Sequence, residues 1–292
     1  MILVTGATGQ AGSQVVRSLL ARQARVRVLV RDAERARRLF GDAVDVAEGD
    51  LAYPPSVRAA LAGAGVLFLS CADDPRRVEW ETDAIDAAAA AGVRRIVRLS
   101  ALLAEPGSPV AFWDWHGRID EHLRAADVPA VVLRASFFMS NLLQAADAVA
   151  HAGCLVAPAG ESRIGMIDPR DVGDAAAVAI LGTGHDGRTY ELTGPAAVSH
   201  AQVARALGAA IGRPVEYVAA GDDEAQRAMV DAGLPPFVAE QVVRMYAVAR
   251  TGGLERVTPM VPALTGRVPR DLTAFVRDHA DWFAPVAHSA GR

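Results

Sequence analysis

A chain of 292 residues that is 51% hydrophobic but only 5% aromatic must fill its interior mostly with Ala, Val and Leu, which suits helices packed closely on a parallel sheet. A net charge of −4 with scattered arginines gives no footprint for nucleic acid, and no apolar run approaches the roughly 20 residues of a bilayer span, so a cytoplasmic setting without nucleic-acid or membrane partners is expected. All 30 basic residues are arginine, which excludes lysine-dependent chemistry; the two distant cysteines, Cys71 and Cys154, have no metal-ligand spacing and support neither a disulfide framework nor a metal site.

Met1 to Thr5 reads as a short apolar strand. A Gly-rich turn follows, then an amphipathic helix from about Gln10 to Ala21 with Val15, Val16, Leu19 and Leu20 on one face. Val26 to Val30 is a β-branched strand, Asp32 to Leu39 an arginine-rich segment, and Val44 to Ala47 a third strand. Pro54 and Pro55 start a helix that runs to about Leu61, and Val66 to Ser70 is a buried strand. Glu79 to Ala91 is an Ala-rich helix ended by Gly92, Arg95 to Leu99 a strand finishing in Ser100, and Trp115 to Ala126 a helix leading to a strand at Ala130 to Leu133. The regular alternation predicts an α/β fold, a Rossmann doubly wound parallel sheet with a smaller C-terminal α/β lobe.

Beyond Ser136 the rhythm loosens around Gly153, Pro158 and Gly160. Residues 1–135 are therefore expected to form the dinucleotide-binding domain, with about 163–185 returning to it, and 136–292 a smaller substrate-binding lobe. Asp171 to Leu181 reads as the returning helix. Tyr190 to Leu192, Ser199 to Ile211 and Val215 to Val218 read as a strand–helix–strand unit of the lobe. Arg267 to Phe283 reads as a closing helix, after which the last few residues fray.

The turn after the first strand, Thr5-Gly6-Ala7-Thr8-Gly9-Gln10-Ala11-Gly12, has G-x-x-G-x-x-G spacing. Gly6 permits the tight turn, Gly9 the approach of a pyrophosphate and Gly12 close helix–strand packing, while the N–H groups of Gln10, Ala11 and Gly12 face the phosphates. A glycine-rich turn without a ligand is the plainer reading, but its place between a strand and a helix favours a dinucleotide. The second strand ends Val30-Arg31-Asp32. Arg31 falls where a ribose 2′-phosphate would lie and Asp32 points away, which predicts NADP, with NADPH preferred over NADH; otherwise Arg31 is a solvated charge and Asp32 a helix cap. Asp50 and Leu51 would flank the adenine, although Asp50 could equally serve a turn. Ser70, Cys71 and Ala72, together with Ser100 and Ala101, end strands that should run beside the ribose and nicotinamide.

Val4 to Gly9, Val30-Arg31-Asp32, Gly49-Asp50-Leu51, Leu133-Arg134, Phe137-Phe138-Met139, Asn141, Ile167-Asp168 and Asp171-Val172 together resemble the NmrA-like branch of the atypical short-chain dehydrogenases. That branch includes NADPH-dependent quinone-reductase-like, triphenylmethane-reductase-like and isoflavone-reductase-like enzymes as well as redox-sensing regulators. The usual Tyr-x-x-x-Lys pair is absent, since there is no lysine and Tyr53, Tyr190, Tyr217 and Tyr246 all lie outside the relevant helix. Aligned on the isoflavone-reductase-like Lys-x-x-x-Glu pattern, the resemblance places His116 and Asp120 there.

His116 has an ordinary pKa near neutrality and so could donate a proton; it could also bind the ribose or simply begin a helix. Trp113, Trp115, Phe137 and Phe138, with Met139, would sandwich a flat substrate or else pack the core and lobe. The expected function is NADPH-dependent reduction of a small, flat, conjugated carbonyl, quinone or enone. The alternatives are a non-catalytic NADP(H)-binding redox sensor with a regulatory protein partner, or a non-redox tailoring enzyme on the same fold.

Overall fold

A computed structural model describes residues 1–284 of the chain; the expected fraying at the C-terminus lies for the most part outside them. Two compact units emerge. The first comprises Met1–Ala135, Pro169–Leu192 and Met260–Arg267; the second comprises Ser136–Asp168, Thr193–Pro259 and the chain from Val268.

In the first unit the strands β1 (Ile2–Val4), β2 (Val26–Val30), β3 (Asp45–Glu48), β4 (Val66–Leu69), β5 (Arg95–Ala101) and β6 (Ala130–Ala135) form one parallel sheet in the order β3-β2-β1-β4-β5-β6. The reversal of order beside β1 is the crevice where doubly wound sheets take their ligands, outside the strand C-termini. β1 and β4 are buried at every residue, as strands covered on both faces must be, whereas β3 at the sheet edge is partly exposed. A seventh strand, Thr189–Leu192, pairs in parallel with β6 in the register Val132 to Thr189 and Ala135 to Leu192. The segment Tyr190 to Leu192, expected in the second lobe, thus belongs to the main sheet. The expected return of the chain therefore extends beyond its helix to this strand.

The helices α1 (Gln10–Leu20), α2 (Ala33–Phe40), α3 (Pro54–Leu61), α4 (Arg77–Ala90) and α5 (Ala111–Ala125) connect the strands. α1 buries Ala11, Gly12, Val15, Val16 and Leu19, a stripe at helical spacing. The helix Pro169–Leu181 packs against α1, and a Cβ added to Gly173 would lie 2.6 Å from the carbonyl carbon of Gln14. Asp174 of the same helix accepts a hydrogen bond of 2.8 Å from Ser18.

In the second unit Cys154–Ala157 pairs in parallel with Glu216–Ala219, and Arg163–Ile164 pairs antiparallel with Val198–Ser199. The helix His200–Ile211 opens with a capping box between Ser199 and Gln202. The expected closing helix is divided: Leu272–Asp278 and Ala280–Phe283 are separate, and Pro269 lies outside both. The helix Pro236–Arg250 has no counterpart in the expected order of elements. No helix among the described residues is long and apolar enough to cross a membrane.

Candidate active site

The Gly-rich turn is closed by backbone. Gly6 has φ +60°, and a Cβ there would lie 2.8 Å from the Ser70 carbonyl oxygen. Thr5 ties the turn to the end of β4: its Oγ1 donates to the Ser70 carbonyl at 2.8 Å and accepts from the Ser70 N–H at 2.9 Å. A Cβ on Gly12 would be 2.1 Å from the Gly6 carbonyl oxygen, so only glycine lets α1 start this close to the turn. Gly9 differs from both, because its only close neighbour would be the Gly6 oxygen at 3.2 Å. Gly9 and Gln10 are exposed, no side chain caps α1, and its first turn holds no acidic residue. This is an N-terminus with its partial positive charge open to an anion, and it fits a dinucleotide pyrophosphate.

At the end of β2, Arg31 is exposed and forms no hydrogen bond or ion pair among the described residues. Asp32 caps α2, accepting from the Arg35 N–H at 2.8 Å, so its carboxylate is already engaged. Arg35 reaches from α2 to the Thr8 carbonyl at 3.3 Å, which sets a second guanidinium against the Gly-rich turn. Sequence reasoning missed Arg35 because helical position, not spacing along the chain, brings it there. Asp50 serves a turn: its Oδ1 accepts from the Ala52 N–H at 3.0 Å, while Ser56 brackets its backbone. The neighbouring Leu51 is buried in the core.

Of the residues ending β4, Ala72 is exposed and Cys71 half-buried. Burial first, and the nearby Glu81 carboxylate second, push the Cys71 thiol up to about 12, so it stays protonated and unreactive. Ser100, expected beside the cofactor, is turned to another task. Its hydroxyl donates to Asp120 Oδ2 at 2.9 Å inside the core, whereas Ala101 beside it remains half-buried.

That bond belongs to a buried ionic network spanning α4, β5, α5 and β6. Arg98 is wholly inaccessible on the interior strand β5. It donates to Glu81 Oε2 at 2.9 Å, to Asp120 Oδ1, to the His116 carbonyl at 3.3 Å and to His116 Nδ1 at 3.0 Å. Arg77 grips Glu81 at 2.7 Å and Asp73 at 2.5 Å. Arg134 on β6 reaches Asp120 at 3.0 Å. In effect the two carboxylates of Glu81 and Asp120 are each shared by two arginines. The one sequence signal was Arg98 itself, a charge in the middle of β5 between the apolar Val97 and Leu99.

His116 is half-buried at the edge of this network. Burial first, and then the charges of Arg77, Arg98 and Arg134, hold its pKa well below the ordinary histidine value. The near-neutral pKa expected for His116 is therefore overturned: at neutral pH it is an uncharged imidazole.

α5 begins at Ala111, four residues before the expected Trp115, so Trp113 and Trp115 lie within the helix. Both are buried, and Trp115 meets Phe112 edge-on at 5.6 Å. Phe137 and Phe138 belong to the second unit. Phe137 packs on Tyr246 at 6.2 Å, and Phe138 bridges to Ile167. In the same unit the buried His200 lies between the rings of Tyr217 and Tyr246, with Nε2 3.2 Å from the Tyr246 hydroxyl; burial lowers its pKa to about 4.

Comparison with known proteins gives concordant results. The model of the NmrA-like family matches residues 1–274. The chain is 38% identical over 283 residues to an NAD(P)H azoreductase of Xenophilus azovorans, covering 97% of this chain and 99% of that protein. It is also 38% identical over 286 residues to a (4-alkanoyl-5-oxo-2,5-dihydrofuran-3-yl)methyl phosphate reductase of Streptomyces griseus, covering 98% and 100% respectively. Among solved structures, an NADPH-dependent quinone oxidoreductase of Escherichia coli complexed with NADPH superposes with a TM-score of 0.87 at 29% identity, covering 96% of this chain and 99% of that one.

Proposed function

The chain belongs to the NmrA-like family and is an NAD(P)H-dependent oxidoreductase, and on that premise we propose that it reduces small, flat, conjugated acceptors of quinone, azo or enone type, with NADPH preferred over NADH. Gly6, Gly9 and Gly12 would admit the pyrophosphate to the N-terminus of α1, and Arg31, supported by Arg35, would meet the 2′-phosphate. When bound, the reduced nicotinamide supplies a hydride. His116 on α5 is the polar group assigned to the acceptor.

The observation that carries the reading is the lack of a strong acid at this position. The chain has no lysine, and its α5 histidine is held uncharged. Such a site suits acceptors electrophilic enough to take hydride before they are protonated. The azo and quinone groups named in the two relatives are of this kind, and so is the oxo-dihydrofuran of the third.

The test is NADPH oxidation, followed at 340 nm, with a naphthoquinone, an azo dye, an enone and an unactivated cyclic ketone. Turnover of at least one conjugated acceptor and none of the ketone is expected. Turnover of the ketone at a comparable rate would remove the reading.

A further inference from the structure

We propose that Arg98 locks His116 into the neutral tautomer that carries its hydrogen on Nε2, so that His116 acts as a fixed hydrogen-bond donor and not as a proton donor. The substrate-facing consequence rests on the proposed function; the tautomer does not.

A guanidinium has five N–H donors and no acceptor. With Arg98 Nη2 3.0 Å from His116 Nδ1, the bond has one sense: Arg98 donates and the Nδ1 lone pair accepts. The hydrogen of the neutral ring must then sit on Nε2, which has no partner among the described residues. Arg98 holds the same residue a second time through its carbonyl at 3.3 Å, which fixes the ring against β5.

Protonating Nδ1 would set an N–H against an N–H and a cation against a cation. Among the described residues the carboxylates of the network are already paired. The charges acting on the ring are Arg77 from α4, Arg98 from β5 and Arg134 from β6, and the carboxylates paired with them are Glu81 on α4 and Asp120 on the ring's own helix. Glu81 is already shared by Arg77 and Arg98, and Asp120 by Arg98, Arg134 and Ser100. Three arginine charges thus act on a neutral ring whose acidic neighbours are saturated.

A neutral imidazole N–H is a much weaker acid than an imidazolium, and it stabilises an anion by hydrogen bonding without giving up its proton. The favoured acceptors are then those whose hydride adduct is a delocalised anion, such as a hydroquinone monoanion or an enolate. The cofactor supplies both electrons and one hydrogen as hydride, and the balancing proton comes from water. Substrates that leave a localised alkoxide would lack the acid they need.

Protein labelled with ¹⁵N-histidine provides a direct test by long-range ¹H–¹⁵N correlation spectra. His116 can be assigned among the seven histidines by its loss in His116→Phe and, independently, in His116→Gln. The expected spectrum shows Nδ1 unprotonated and Nε2 protonated, without titration between pH 5.5 and 9. A midpoint near pH 6–7, or a hydrogen on Nδ1, would overturn the proposal. In the paired variant Glu81→Gln/Arg98→Gln, which removes one charge of each sign, a rise of the His116 midpoint toward the ordinary value of about 6.5 is expected. If that variant does not fold, the wild-type spectrum alone decides. The spectrum requires neither substrate nor turnover, so a silent acceptor panel with the expected tautomer would reject the proposed function and leave this inference standing.

Discussion

Arg98 and Glu81 meet at 2.9 Å with neither side chain exposed to solvent, one on the interior strand β5 and the other on α4. Charges buried at this depth are tolerated only as a complete set, because each guanidinium and carboxylate has given up its hydration. Arg98→Met leaves the Glu81 and Asp120 carboxylates each short of a partner. A loss of about 3–5 kcal/mol in urea denaturation is expected, the range for removing one member of a buried pair. A loss below about 1 kcal/mol would mean that water reaches the network.

The stability should also depend on pH through His200. Burial lowers its pKa from 6.5 to about 4 in the folded chain, so between these values the unfolded chain binds the proton first. Stability is therefore complete above about pH 6.5 and falls as the pH drops toward 4. His200→Phe should flatten that slope whatever it does to stability at neutral pH. Denaturation midpoints at pH 7.5, 6, 5 and 4.5 decide the matter, and equal slopes in the two proteins would contradict it.

The glycines of the turn should separate binding from folding. Gly12→Ala drives a Cβ to 2.1 Å from the Gly6 oxygen, a backbone atom that cannot step aside, and should cost about 1–3 kcal/mol or more. Gly9→Val meets only one atom, at 3.2 Å, and should stay folded while its side chain fills the path of the pyrophosphate. Thermal melts and the quenching of NADPH fluorescence would distinguish them. NADPH bound normally by a folded Gly9→Val variant would place the phosphates elsewhere.

Arg31→Glu should reverse or abolish the preference for NADPH over NADH. A charge-assisted hydrogen bond is worth about 1.5–3 kcal/mol, or roughly 10- to 100-fold in the ratio of dissociation constants. Because Arg31 is exposed, the wild-type preference should also shrink as salt rises. Arg35→Ala should have a smaller effect of the same sign. Equal wild-type affinities for the two cofactors would remove Arg31 from the site.

His116→Phe should lower kcat for a quinone or enone by about 10²–10³-fold, the range for losing one donor to a developing anion, with cofactor affinity nearly unchanged. The wild-type rate should lack a limb near pH 6–7, since no group on the ring titrates there. A change confined to KM would make His116 a binding residue only.

The first half of the chain was readable because β1 and β4 are continuous apolar runs and the starts of α1, α2 and α3 carry a glycine, an aspartate cap and a proline respectively. Gly6, Gly9 and Gly12 declare their geometry by spacing alone. Arg98 did not, because a charge in a strand ordinarily marks a solvated edge, and only the fold brings Glu81, Asp120 and Arg134 around it. Ser100 reads only from its place at a strand end, and the hydrogen bond of its hydroxyl to Asp120, twenty residues later, is visible only in the fold. The strand Thr189–Leu192 follows a Gly-rich turn and carries no sign of its neighbour, and β6 claims it by open backbone hydrogen bonds. Asp50 reads from the sequence as either an adenine contact or a turn residue, and its local turn uses one carboxylate oxygen.

The flush contact of Gly173 with Gln14 bears on the order in which this molecule can be made. α1 carries the turn offered to the cofactor, yet the helix that shields it leaves the ribosome some 150 residues later, followed by the strand that completes the sheet beside β6. A nascent chain halted at residue 135 would bear the full glycine signature but leave the Gln14 and Ser18 side of α1 uncovered and the edge of β6 open, the latter an invitation to aggregation. Synthesis must reach Leu192 before the N-terminal turn has its permanent support, so a gene fragment cut at the apparent domain boundary would encode the motif without its scaffold.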